Sequence, residues 1–144
     1  MKKIALLLAL LLVIALAYCS RSAPEPQIAP GKNFNTAFPK SAAGLTVQFT
    51  QEKEGYAQAD LLKDGKKMAQ LSISDTNSNL TARDKFKPGA RTIAGHPSAT
   101  VGSLGTAILV ANRYQVQVRS IDPSFTAQDR ESWLNQFQLG GLKQ

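Results

Sequence analysis

Residues 55–75 read GYAQADLLKDGKKMAQLSISD, and the fold turns on this stretch. Ala57, Ala59 and Leu61 alternate with Gln58 and Asp60. Ala69, Leu71 and Ile73 alternate with Gln70, Ser72 and Ser74. A period of two is the signature of a half-buried strand, because successive side chains leave a strand on opposite faces. Asp64-Gly65 separates the two runs, and that dipeptide supplies the positive φ angles of a two-residue hairpin turn. The stretch therefore predicts an antiparallel hairpin with one apolar and one polar face.

The pattern extends outward in both directions. Upstream, Leu45, Val47 and Phe49 alternate with Thr46, Gln48 and Thr50, which adds a strand. Downstream, Thr106–Val110 is continuously apolar or β-branched and reads as a central strand. Asn112 suits a left-handed turn. Tyr114, Val116 and Val118 then alternate with Gln115, Gln117 and Arg119. Between the strands, residues 75–89 (DTNSNLTARDKFKPG) predict a short helix, capped by Asn77, Ser78 or Asn79 and stopped by Pro88-Gly89. Near the C-terminus Thr126 and Asp129 have the spacing of a capping box. Trp133, Leu134 and Phe137 share one helical face, and Gly140-Gly141 ends that helix. The expectation is an α+β fold: an antiparallel sheet of about five to six strands in hairpins, a short middle helix, and a C-terminal helix packed on one face. One domain over residues 45–144 accommodates all of it.

The first 44 residues read differently. Lys2 and Lys3 precede an unbroken Ile, Ala, Leu and Val run from Ile4 to Ala17. That run is short for a membrane span, which needs roughly 20 apolar residues, and suits a signal peptide over residues 1–18. Ala15-Leu16-Ala17 offers one cleavage site, before Tyr18. Leu16-Ala17-Tyr18-Cys19 resembles the lipobox of bacterial lipoproteins, with Tyr18 where a small residue is usual. The resemblance implies cleavage before Cys19 and lipidation of that residue, and Ser20 after it implies sorting to the outer membrane. Cys19 is the chain's single cysteine, so an intramolecular disulfide is excluded. Residues 19–44 hold Pro24, Pro26, Pro30 and Pro39 among small polar residues, the composition of a tether. Phe34 and Phe38 are the exception, and they suggest that part of the tether docks on the domain.

The chain is basic: removing Lys2 and Lys3 from 17 Lys and Arg leaves 15 against 10 acidic residues, or about +5. Such a charge serves solubility first and also suits anionic phospholipid, lipopolysaccharide or an acidic envelope polymer, whereas export argues against nucleic acid. The sequence offers no catalytic constellation. His96 sits in a turn-like AGHPS segment, with Ser98 too close in sequence to serve as its nucleophile. One His and one Cys do not make a zinc or iron site. Asp75–Asn79 could offer oxygens to calcium but lacks the glycine and bidentate glutamate of an EF-hand, and helix capping explains it. Glu52 and Glu54 flank Lys53 in a solvated connection and do not form a glycosidase pair. No cofactor is implied.

The reading is therefore an exported, non-enzymatic binding or assembly domain of the cell envelope. It is placed at the outer membrane or facing the periplasm through a lipid on Cys19, or else soluble in the periplasm. Its partner is an envelope protein or an anionic polymer, met on the polar sheet face at Gln115, Gln117 and Arg119. A periplasmic carrier holding a small ligand between sheet and helix is the alternative, and an envelope hydrolase is the weakest reading.

Overall fold

The computed structural model describes residues 23–143. Cys19, the Leu16–Cys19 motif and the signal-peptide run lie outside the described residues. Among the described residues no helix is long and apolar enough to cross a membrane.

Seven strands form one antiparallel sheet: β1 (Thr46–Lys53), β2 (Tyr56–Lys63), β3 (Lys66–Asp75), β4 (Thr92–Ile93), β5 (His96–Val101), β6 (Gly105–Val110) and β7 (Tyr114–Ser120). Their order across the sheet is β1-β2-β3-β7-β6-β5-β4. The central hairpin is as the sequence predicts. Lys63 pairs with Lys66 across a turn in which Asp64 and Gly65 have φ of 50° and 77°. Asn112 takes the left-handed conformation at φ 49° in the β6–β7 turn.

The sheet has seven strands where five to six were expected. The additional pairing is a short hairpin in which Ile93 meets His96 across Ala94-Gly95. Both turn residues have positive φ, at 51° and 78°. Alanine is a poor signal for that conformation, and Pro97 argues against a strand unless it lies near an edge, which it does.

The middle helix is not an α-helix. It is two 3-10 turns, Thr76–Ser78 and Leu80–Arg83, broken at Asn79. The cap is Asp75 and not one of Asn77–Asn79: its side chain accepts from the Asn77 amide at 3.0 Å. Three successive Asn and Ser residues compete for the backbone, and Leu80 is exposed, so no apolar stripe holds a longer helix on the sheet.

One helix, α1, covers Ala127–Leu134. Thr126 and Asp129 form the reciprocal capping box. The helix ends at Leu134, well before Gly140-Gly141, which fall in a separate 3-10 turn. Trp133, Leu134 and Phe137 are all buried against the sheet.

α1 covers only the β6–β7 part of the apolar face. The β1–β2 part is covered by a 3-10 helix, Gly31–Ala37, whose Phe34 and Ala37 are buried together with the following Phe38. The folded unit thus reaches back past Leu45 into the proline-rich stretch. The Phe34 ring meets Tyr114 edge-on at 5.7 Å, and Phe38 meets Phe49 at 5.0 Å and Phe137 at 5.5 Å. The Gln138 amide donates to the Ala37 carbonyl at 2.8 Å, sewing the two covers together. Gly31 allows the approach: a Cβ there would lie 2.2 Å from the Lys53 carbonyl oxygen.

Candidate functional site

The register lines up the polar positions in cross-strand rows on the face opposite the core. One row is Tyr56, Ser74, Gln115 and Leu109; the next is Gln58, Ser72, Gln117 and Ala107; the third is Gln48, Asp60, Gln70 and Arg119. Gln115, Gln117 and Arg119 therefore share one face of β7, but their surroundings differ.

The first row is overlaid. The connection from β3 to β4 passes over this end of the sheet, where Lys85 Nζ donates to Gln115 Oε1 at 2.7 Å. Leu109, on the same face, is buried. Gln115 Nε2 donates in turn to Gln117 Oε1 at 3.0 Å, so these two glutamines bond each other. Tyr56 Oη donates to Gln58 Oε1 at 2.8 Å. Burial pushes the Tyr56 phenol above its usual pKa, with a hydrogen bond to Ser72 working against it.

The third row is open and unsatisfied. Arg119 and Gln48 are exposed and Gln70 is half-buried. Asp60 between them is buried. Its Oδ2 takes Lys67 Nζ at 2.6 Å, while its Oδ1 is enclosed and has no hydrogen-bond partner among the described residues. A buried acceptor left unpaired costs roughly 1–3 kcal/mol. With neighbouring strands about 4.8 Å apart, Gln48 to Arg119 spans ~14 Å. The β2–β3 turn adds Lys63 and Lys66 at this end, with Lys66 paired to Asp122. That lysine, and hydrogen bonds from Ser124, hold the Asp122 carboxyl well below the usual range.

A second polar cluster, which sequence reasoning missed, lies at the other end of the sheet. Asp75 is fully buried. Its carboxylate accepts from the Ala29 amide at 2.8 Å, the Asn77 amide at 3.0 Å, Arg113 Nε at 3.0 Å and Arg113 Nη2 at 2.7 Å. Burial alone would raise its pKa, but the Arg113 and backbone hydrogen bonds outweigh it and hold the carboxyl below the ordinary aspartate value. Arg113 Nη2 also donates to the Gln27 carbonyl at 2.9 Å, which ties the N-terminal segment to the β6–β7 turn. Thr76 Oγ1 donates to the Arg113 carbonyl and accepts from Arg83 Nε at 2.6 Å. The only advance sign was an aspartate at the end of an alternating strand, on the face whose other members are apolar.

His96 is the first residue of β5, half-buried and paired with Ile93. Glu52 accepts from Asn35 Nδ2 at 2.7 Å, which is a docking contact for the N-terminal 3-10 helix. Asp75, the first residue of the oxygen-rich stretch, is occupied by Arg113. Among the described residues no group of three or more His, Cys, Asp or Glu side chains could hold a metal ion. No protein-family model, curated protein or solved structure matches this chain.

Proposed function

We propose that the chain is a cell-envelope protein, anchored by a lipid on Cys19, whose domain binds an anionic envelope polymer without catalysis. The binding surface is the open end of the polar face, centred on Gln48, Asp60, Gln70 and Arg119. The observation that carries this reading is the unmet hydrogen-bonding capacity of that row. The side chains of Gln48, Gln70 and Arg119 have no hydrogen-bond partner among the described residues, and Asp60 Oδ1 lacks one although it is enclosed. The hydroxyl or amide groups of a polymer bond to the side-chain amides of Gln48 and Gln70. Its acidic groups pair with Arg119. A guanidinium binds carboxylate or phosphate bidentately.

The carrier alternative places its ligand between sheet and helix. There Leu134, Ile108, Val116 and Val118 have no measurable exposure, and no observation favours that reading.

Two experiments test the proposal. Wild-type protein should co-sediment with purified cell-wall sacculi, and the variant Gln48→Ala, Arg119→Glu should stay in the supernatant with its urea midpoint nearly unchanged. Exposed substitutions of this kind usually shift stability by no more than about 0.5 kcal/mol each. A folded variant that still pellets removes this face from consideration. For the anchor, the intact mass of the mature protein should show a lipid increment on Cys19, and Cys19→Ser should release the domain from membranes. A mature chain beginning at Tyr18 with a free thiol refutes the anchor.

A further inference from the structure

At the Asp75 end, Asn77, Arg83, Ala111, Asn112 and Arg113 line an open cavity of about 290 Å³. Two arginines stand on its wall, and each is fixed by its own hydrogen bonds. Arg83 donates from Nε to Thr76 Oγ1 and from Nη2 to Asn77 Oδ1, both at 2.6 Å. Arg113 spends Nε and Nη2 on Asp75 and Gln27. In both residues Nη1 makes no hydrogen bond to the described residues, so each keeps a donor group in reserve.

The charge at this place is uneven. Asp75 compensates Arg113 through a bidentate pair. Arg83 has no carboxylate partner among the described residues: its partners are a hydroxyl and an amide oxygen. Asp84 follows it in sequence but makes no hydrogen bond to either guanidinium. The two arginines and Asp75 thus leave about one net positive charge on the cavity wall. The side chains that hold Arg83 have already met the entropic cost of ordering it, which is what a preorganised anion site requires.

We propose that this cavity binds a phosphate group, held between the unused Nη1 donors of Arg83 and Arg113. The fork of a guanidinium matches the oxygens of phosphate, and both arginines are presented rigidly. Asn112, exposed in the β6–β7 turn, forms the rim. The group comes either as free inorganic phosphate or as a phosphodiester lipid headgroup. The site lies at the opposite end of the sheet from the Gln48–Arg119 row and does not depend on polymer binding there.

The test is a titration of the full chain with sodium phosphate, against sodium chloride at matched ionic strength, read from the Arg83 and Arg113 side-chain Nε–H NMR signals. Saturable shifts in phosphate only are expected. Arg83→Gln should weaken binding by about 10–100-fold, the effect of losing a hydrogen bond to a charged group. Because Arg83 also supports Thr76 and Asn77, Asn112→Asp serves as the second variant. It puts a negative charge on the rim, leaves the arginine hydrogen bonds untouched, and keeps a residue type that tolerates the left-handed turn. Vesicles of phosphatidylglycerol, with phosphatidylcholine as control, form the second arm, run on Cys19→Ser protein so that no lipid anchors the chain. Phosphate binding lost in Asn112→Asp supports the site with a free anion. Association with phosphatidylglycerol vesicles lost in the same variant supports it with a headgroup. Equal shifts in chloride, binding indifferent to both variants, or no binding in either arm overturns the proposal.

Discussion

Phe34→Ala tests whether the N-terminal segment belongs to the cooperative core or only rests on it. Phe34 is 1% exposed and stacks edge-on against Tyr114 at 5.7 Å. Truncating a buried phenylalanine costs about 3–5 kcal/mol, because the lost transfer energy adds to the cavity left behind. Relaxation is limited here. Gly31 is wedged against the Lys53 and Tyr56 carbonyls, and Ala37 is held by Gln138, so the 3-10 helix is fixed at both ends. A small domain has about 5–15 kcal/mol of total stability, so the variant should lose a large share of it. In urea, with a slope near 2 kcal/mol per M, the midpoint should fall by roughly 1.5–2.5 M while the slope stays the same. A loss below about 1 kcal/mol would mean that the segment can leave the sheet at little cost. The cooperative unit would then begin near Leu45, and the contacts of Phe34 would be incidental.

Two further perturbations probe the rest of the frame. Asp75→Asn should cost about 3 kcal/mol or more at neutral pH, since it leaves Arg113 without its buried counter-charge. The folded pKa of Asp75 lies below the unfolded value of about 3.9, so its contribution is complete above that value and is lost as pH falls through the folded pKa. An acid-unfolding curve should therefore be flatter below about pH 4 in the variant, and an identical acid limb would refute the assignment. Trp133→Ala should cost about 3–5 kcal/mol, and native Trp133 fluorescence should be blue-shifted. Exposed-type emission together with unchanged stability would place Trp133 on a binding surface instead of in the core.

The parts of this fold carried by period and turn chemistry were legible in advance. Asp64-Gly65 and the flanking alternation specify the central hairpin, and Thr126 with Asp129 specifies the start of α1. What the sequence hid was how the sheet is covered. A helix is about 10 Å across, whereas five strands already span ~19 Å, so a single eight-residue helix leaves half of an apolar face bare. Phe34 and Phe38 supply the missing cover, but they lie in a proline-rich stretch without periodicity, where composition argues for a tether. The β4–β5 hairpin was hidden because Ala94-Gly95 and Pro97 are weak strand signals. On the polar face, alternation placed Gln115, Gln117 and Arg119 together. It could not show that the β3–β4 connection, through Lys85, overlays the first of them and leaves Arg119 open. Register decides that Gln70 stands beside Arg119 and Asp60 beside Gln70, and register between strands is not written in any one strand.

Asp75 was the least legible residue and the one with the widest structural reach. Its position in the alternation assigns it to the apolar face, where a lone carboxylate would be costly. The cost is offset because β3 ends there. The Ala29 amide arrives from the N-terminal segment, the Asn77 amide from the 3-10 turn, and Arg113 from the β6–β7 turn. One carboxylate thus joins three chain segments distant in sequence. Lysine could not replace Arg113, since a single ammonium does not reach both carboxylate oxygens and the Gln27 carbonyl in the same fork. The same guanidinium lines the proposed phosphate cavity, so docking of residues 27–29 and phosphate binding share a residue. Coupling of this kind is reciprocal: if phosphate tightens Arg113, it also tightens the N-terminal segment by an equal free energy.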